Sequence, residues 1–169
     1  MKYIIKNKIM SLGAGSTVRD EAGKDLFFVK GKVFTFTKKK FLRTMNKEVL
    51  YTIQNKFLYF FLPKVFIKDA DGNNILMIKK KSFFSFKQNF EIIPAEGKED
   101  LNIEIQGDII GWNYDILENG IAVAHIRRNF NLIKDSFTLE TDMEDKAAFY
   151  IAFVIALDNY FDALSQDYR

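Results

Sequence analysis

Among its 169 residues the chain has no cysteine, two prolines, one histidine and one tryptophan. Without thiols there can be no disulfide staple, no thiolate metal site and no cysteine nucleophile. With only His125, acid–base chemistry has a single imidazole and metal sites lose their other common ligand. The longest apolar run, Ala147 to Leu157, is eleven residues, short of the roughly 18 that a membrane span requires, so no transmembrane segment is expected. The opening stretch Met1 to Lys8 interrupts its apolar residues with lysines and does not read as a secretory leader. The expected location is therefore cytoplasmic. Nor is there a phosphate-cradling glycine loop before a helix, a serine-centred nucleophile elbow or a zinc-protease helix motif. These absences argue against an enzyme, and no cofactor or metal site is expected.

What is present is enough apolar material for a real core, 48% of residues with 15% aromatic, and a charge that is unevenly divided. Residues 1–98 hold 20 Lys+Arg against 8 Asp+Glu, a balance of +12, and residues 99–169 hold 5 against 14, a balance of −9. Such asymmetry can mark a face for an anionic partner, or it can let the two halves attract each other within one fold.

The chain repeats. Val18 to Lys32 matches Ile67 to Lys81 at an offset of 49, with Asp20 and Asp69, Gly23 and Gly72, and the terminal cations coinciding. A weaker third copy runs from Ile116 to Arg127 around Gly120. Beneath this lies a shorter period: an aliphatic residue followed by polar or cationic ones begins at Ile5, Val29, Ile53, Ile78 and Ile126, at intervals of 24, 24, 25 and 48, the last a doubled step across a degenerate copy near Ile103. A unit of about two dozen residues, with Asp-x-x-Gly, Asn-Gly or Glu-Gly turns between runs rich in Ile, Val, Phe and Thr, holds two strands. Six units give about twelve. Phe34-Thr35-Phe36-Thr37 and Leu101 to Gln106 alternate with the period of strands, and Pro63 and Pro94 fall at strand ends or turns.

The last segment differs in kind. Asp142 stands as the expected N-cap, with Glu144 and Asp145 placed for the helix dipole, and the stretch after Lys146 is apolar on every face, as a surface helix is not. With no second helix to pack on, it must be enclosed by the strands. The expected fold is mainly β: a single domain over residues 1–169, a closed antiparallel barrel of about twelve strands (residues about 3–140) around one hydrophobic C-terminal helix (about 143–164).

These features resemble the LURP-one-related family of small barrels, similar in fold to the tubby C-terminal domain and the phospholipid scramblases. The resemblance is carried by Lys8-Ile9-Met10-Ser11-Leu12-Gly13, the two Asp-x-x-Gly hairpins ending at Val29-Lys30 and Ile78-Lys79, Gly107 to Tyr114, and Asp135 to Leu139 leading into the apolar helix. It implies a twelve-stranded barrel around a C-terminal helix. For function it implies association with anionic lipid or membrane-linked signalling rather than a reaction.

Chemistry has few candidates. His125 needs a carboxylate or nucleophile beside it, and the bland alternative is an ordinary strand histidine. Asp158 and Asp162, four apart on one helix face, are either an acidic pair or the place where the helix leaves the core and meets water or a lysine. Asp20 to Gly23 and Asp69 to Gly72 are turns, because a calcium loop needs a dozen residues ending in glutamate. The basic positions carry more. Alternate strand residues share a face, so Lys30 with Lys32, and Lys79 with Lys81, point outward together, Arg127 takes the equivalent place, and Lys38, Lys39 and Lys40 add a run. They form the candidate anion- or lipid-binding set, against the plain alternative of a solvated outer wall. The expected function is a non-enzymatic binding or scaffold module, with anionic phospholipid headgroups at a membrane surface or a protein as partner. Nucleic acid is disfavoured, because Phe34 and Phe36 alternate away from the lysines. The competing reading is a small-molecule carrier or enzyme at a barrel mouth near the end of the helix, using Asp158, Asp162 and His125.

Overall fold

The aliphatic residues that open the successive repeats, Ile5, Val29, Ile53, Ile78, Ile103 and Ile126, are all buried, none more than 4% exposed. They converge because each lies on an odd-numbered strand of one sheet. A computed structural model describes residues 1–6, 15–31, 37–56, 63–81, 90–129 and 136–166. Its strands are β1 (Lys2–Lys6), β2 (Ser16–Asp20), β3 (Asp25–Gly31), β4 (Lys40–Thr44), β5 (Val49–Asn55), β6 (Lys64–Lys68), β7 (Asn74–Lys80), β8 (Phe90–Pro94), β9 (Ile103–Asp108), β10 (Asn113–Glu118), β11 (Ile121–Asn129) and β12 (Ser136–Glu140). A short 3-10 turn, Glu144–Lys146, leads into helix α1 (Ala147–Gln166).

Every ladder is antiparallel, in the order β8-β7-β6-β5-β4-β3-β2-β1-β12-β11-β10-β9. The pairing of β1 with β12 joins the first eight strands to the last four, so that the sheet curls into a barrel with β8 and β9 as its two edges. It is nearly closed rather than closed, since no ladder joins β8 to β9 among the described residues. The aliphatic residues face each other across the ladders, Ile5 with Val18, Val29 with Leu42, Ile53 with Ile67, Ile78 with Ile92 and Ile126 with Leu139. Phe34-Thr35-Phe36 lies outside the described residues.

The 49-residue repeat is structural. Strand β3, shifted by 49, coincides with β7. The ladders slip register after Val18, Ile67 and Ile116, again 49 apart, and after Leu42, half a repeat along. In both Asp-x-x-Gly turns the aspartate binds the chain it reverses. Asp20 Oδ1 accepts from Lys24 N at 2.9 Å and Asp69 Oδ1 from Asn73 N at 2.8 Å. Gly23 and Gly72 follow with φ of 83° and 88°, a backbone conformation that a Cβ disfavours.

Helix α1 fills the interior. From Tyr150 to Tyr160 every residue is buried, which is why the stretch can be apolar all round. The segment Glu144–Leu164 is long and apolar enough to cross a membrane by length and composition, so the eleven-residue run was too narrow a measure. What occupies the helix is the barrel, with 78% of that window buried inside it. Its start is fixed differently from the sequence expectation. Asp142 is exposed and caps nothing, while Thr141 Oγ1 accepts from Met143 N at 3.0 Å and donates to Val123 O at 2.6 Å. One turn on, Lys146 Nζ and Tyr150 OH both donate to Glu118 at the end of β10, at 2.6 and 2.9 Å.

Burial pushes the Glu118 carboxyl up, but the bonds from Lys146 and Tyr150 outweigh it and hold it below the usual glutamate value. Its stabilisation is therefore present above the ordinary glutamate range and is lost as pH falls through the depressed folded value. Glu118→Gln is expected to lower stability by about 1 kcal/mol at neutral pH. In urea titrations the gap between variant and parent should close below about pH 4, and a gap that persists to lower pH would contradict the assignment.

Candidate functional site

A run of three consecutive lysines cannot share one face of a strand, because successive side chains point to opposite sides. Lys38 and Lys39 precede β4 and Lys40 opens it, and the structure separates the three. Lys39 stays outside, its ammonium 5.5 Å from the centre of the Phe41 ring. Lys40 turns inward, is 8% exposed, and lies 3.4 Å from Asp158 on α1. Lys38 buries its Nζ, which has no hydrogen-bond partner among the described residues. Of this predicted run, then, only Lys39 belongs to the outer wall.

The other predicted cations divide as follows. Lys30 and Lys81 are exposed. Lys79 points outward and pairs with Glu91 across β7 and β8 at 3.4 Å. Arg127 pairs with Glu140 at 3.4 Å on the far side of the β1–β12 closure, apart from the rest. Lys32 lies outside the described residues. The cations do not form an even belt. At the level of Lys30 the odd strands present Lys6, Lys30, Gln54 and Lys79 from β1 to β7, then Glu104 on β9 and Arg127 on β11.

Because sheet order largely follows chain order, the charge asymmetry of the sequence becomes an asymmetry of the wall. The outward positions of β4 to β7 hold Arg43, Lys64, Lys68 and Lys79, with Lys40 and Lys80 on the inward alternation, and these strands contain no Asp or Glu. The outward positions of β9 to β12 hold Glu104, Asp108, Asp115 and Glu140 against Arg127, with Glu118 and Arg128 on the inward alternation. On the basic side, Phe41 stands directly opposite Lys30 in the β3–β4 register and has the Arg43 guanidinium 5.1 Å from its ring. Lys30, Lys39 and Arg43 thus gather round one aromatic ring, a geometry that favours cations. Lys64 faces Lys79 across β6 and β7, a like-charge pairing that Glu91 beside Lys79 offsets in part.

The polar groups proposed for a barrel mouth are split. His125 Nδ1 lies 2.7 Å from Asp115 Oδ1, so the lone histidine does have a carboxylate partner. The pair sits on the outer wall, in a shallow cleft of about 460 Å³ with Met1, Lys2 and Glu140. Asp158 is inside the barrel, near the mouth where Lys40 and Asn55 end their strands. The neighbouring hydroxyl in the cleft, Thr141, is buried and spent on the Val123 carbonyl.

Asp158 meets a lysine, as one of the two sequence readings held. For both partners burial is the largest influence: it pushes the Asp158 carboxyl up and the Lys40 ammonium down, against their mutual attraction. Beside them Asn159 Nδ2 donates to Asn55 Oδ1 at 3.2 Å and to Lys38 O at 3.4 Å. The Tyr114 hydroxyl is buried with no hydrogen-bond partner among the described residues. Strand patterning could not have found this cluster, since it joins residues more than a hundred positions apart. No group of three His, Asp or Glu side chains suited to a metal occurs among the described residues.

The barrel, its enclosed helix and the repeat that builds it narrow the comparisons with known proteins. The LURP-one-related family profile matches residues 1–158. This chain belongs to that family. A crystal structure of a protein from Arabidopsis thaliana is similar in fold, with a TM-score of 0.60 and 18% identity, covering 94% of this chain and 89% of that one. No curated protein sequence matches. The LURP-one-related family and the tubby-like barrel support a non-enzymatic binding module.

Removing one partner of the buried pair leaves the other charge stranded, whereas replacing both does not. Asp158→Ala is therefore expected to cost about 3–5 kcal/mol and Lys40→Met with Asp158→Leu far less, as read from urea midpoints. Equal losses in the two variants would show that the pair is not coupled.

Proposed function

We propose that the chain is a non-enzymatic binding module that docks on anionic phospholipid headgroups through the outer face of β3 to β7. The observation that carries this reading is the carboxylate-free basic wall of β4 to β7, flanked by the Lys30–Lys39–Arg43 group around Phe41. Strand spacing puts Lys30 and Lys79 about 19 Å apart along the wall, wide enough to engage several headgroups. Between the cations, Phe41, Phe66 and Met77 are half-buried, with Phe66 opposite Met77. The wall therefore offers apolar surface as well as charge, which suits the boundary between headgroups and acyl chains. Docking on this wall would be peripheral, with α1 remaining inside the barrel.

Each basic residue near an anionic surface contributes about 1 kcal/mol, or roughly fivefold in affinity. Flotation with vesicles of phosphatidylcholine alone and with added phosphatidylserine should show binding only to the latter, falling steeply with salt. Lys30→Glu combined with Lys64→Glu should weaken it by more than tenfold, and Arg127→Glu, on the acidic side, by much less. Negligible binding to both vesicle types would sink the proposal.

A further inference from the structure

Among the described residues no ladder joins β8 to β9, so the barrel opens at the degenerate copy of the repeat. In the other hairpins of this kind the connections are short: residues 21–24, 45–48, 69–73 and 119–120. Between β8 and β9 the connection is the eight residues 95–102, and the register slip that recurs after Val18, Leu42, Ile67 and Ile116 has no counterpart there.

The direction of the unused backbone groups follows from the ladders on either side. Ala95 N donates to Ile75 O, and the β7–β8 register is unshifted. By antiparallel alternation Ile93 and Glu91 then bond to β7, while Phe90 and Ile92 turn their N–H and C=O toward β9. Similarly Asn119 N donates to Asn102 O, so Glu104 and Gln106 bond to β10, and Ile103, Ile105 and Gly107 turn theirs toward β8. These residues, Phe90, Ile92, Ile103, Ile105 and Gly107, line a cleft of about 360 Å³. Pro94, which has no N–H to offer, closes one end of the row.

The cleft has apolar side chains on its walls, but most of the surface it opens to solvent is polar, and acids stand outside it. Phe90 packs on Tyr160 and Phe161 of α1, with ring centroids 5.6 and 6.3 Å away, and Trp112 reaches Phe161 from the other side at 5.9 Å. Helix α1 thus backs Phe90 without itself lining the cleft. Around the outside stand Glu91, Glu96, Glu99, Asp100, Glu104 and Asp108, with Lys98 the one cation from residue 90 to residue 108. Five of these acids, Glu96, Glu99, Asp100, Glu104 and Asp108, are exposed.

We infer that this seam is a docking slot for an extended segment of a partner protein whose residues alternate apolar and basic. Such a segment would bond to both open edges, antiparallel to one and parallel to the other. Its apolar residues would point inward to Phe90, Ile92 and Ile105, and its cations outward to Glu91 and Glu104. The backbone supplies affinity and the alternation supplies specificity. Unpaired edge groups invite such pairing, and the acids along this edge restrict it to cationic segments. The inference stands on the acidic side of the barrel and does not rest on lipid binding by the basic side.

The test uses the full chain and a fluorescent nine-residue peptide alternating valine and lysine. Anisotropy should show binding at least tenfold tighter than for a scrambled peptide of the same composition, and than for a copy N-methylated at alternate residues. Glu104→Lys should weaken binding several-fold, and the amides of Phe90, Ile92, Ile103 and Ile105 should gain hydrogen-exchange protection on addition of peptide. Equal binding of the scrambled or N-methylated peptide would mean attraction by charge alone and would overturn the proposal. So would concentration-dependent dimerisation that protects the same amides without peptide, which would assign the slot to a second copy. The N-methylated peptide leaves the protein unaltered, so its result does not depend on any variant folding.

Discussion

A barrel of twelve strands encloses more space than its own inward side chains can fill, and the architecture depends on α1 filling it. The helix must be apolar on every face, because every face meets a strand. The strands must in turn present an aliphatic residue inward at each repeat, and Ile5, Val29, Ile53, Ile78 and Ile126 do so. Neither part is stable alone. The strands without the helix would surround a void, and the helix without the strands would expose a continuous hydrophobic surface.

This dependence explains where the few buried polar groups lie. Most of them, Lys40, Asn55, Thr141, Asp158 and Asn159, sit at the two ends of the helix, where it passes from the core towards the barrel rims. At the start, Glu118 receives Lys146 and Tyr150, and Thr141 ties the approach to Val123. Towards the end, Asp158 receives Lys40, and Asn159 receives Asn55 and Lys38. A uniformly apolar cylinder could slide or rotate within its sleeve. Directional bonds at both ends fix its depth and rotation, a role that apolar packing fills less well.

The repeat also shapes the outer surface. Each unit places a polar residue just outside its buried aliphatic one, so a ring of outward positions arises from construction alone, and the recurrence of lysine there carries little functional information. What does carry information is the departure from the pattern. The positions are basic from β1 to β7 except for Gln54 and turn acidic at β9, and the hairpin that fails to pair is the one whose repeat has decayed. The basic wall and the open seam lie on neighbouring staves, with Lys79 and Glu91 joined at their border.

Much of this was legible in the chain itself. Strand number, turn chemistry and the enclosed helix follow from periodicity and from an apolar run with no other place to go, since both are local properties of sequence. The partners of Lys40 and His125 were not legible. Lys40 looked like one of three surface lysines, and only the inward turn of β4 against α1 brings it to Asp158, 118 residues away. His125 and Asp115 meet because β10 and β11 pair in one register and not its neighbour. The sequence by itself determined that twelve strands would surround one helix, because burial pattern and turn spacing are written residue by residue. Tertiary structure decided which charges are buried, which share a wall and where the barrel stays open, because those depend on strand register and on distances between residues far apart in the chain.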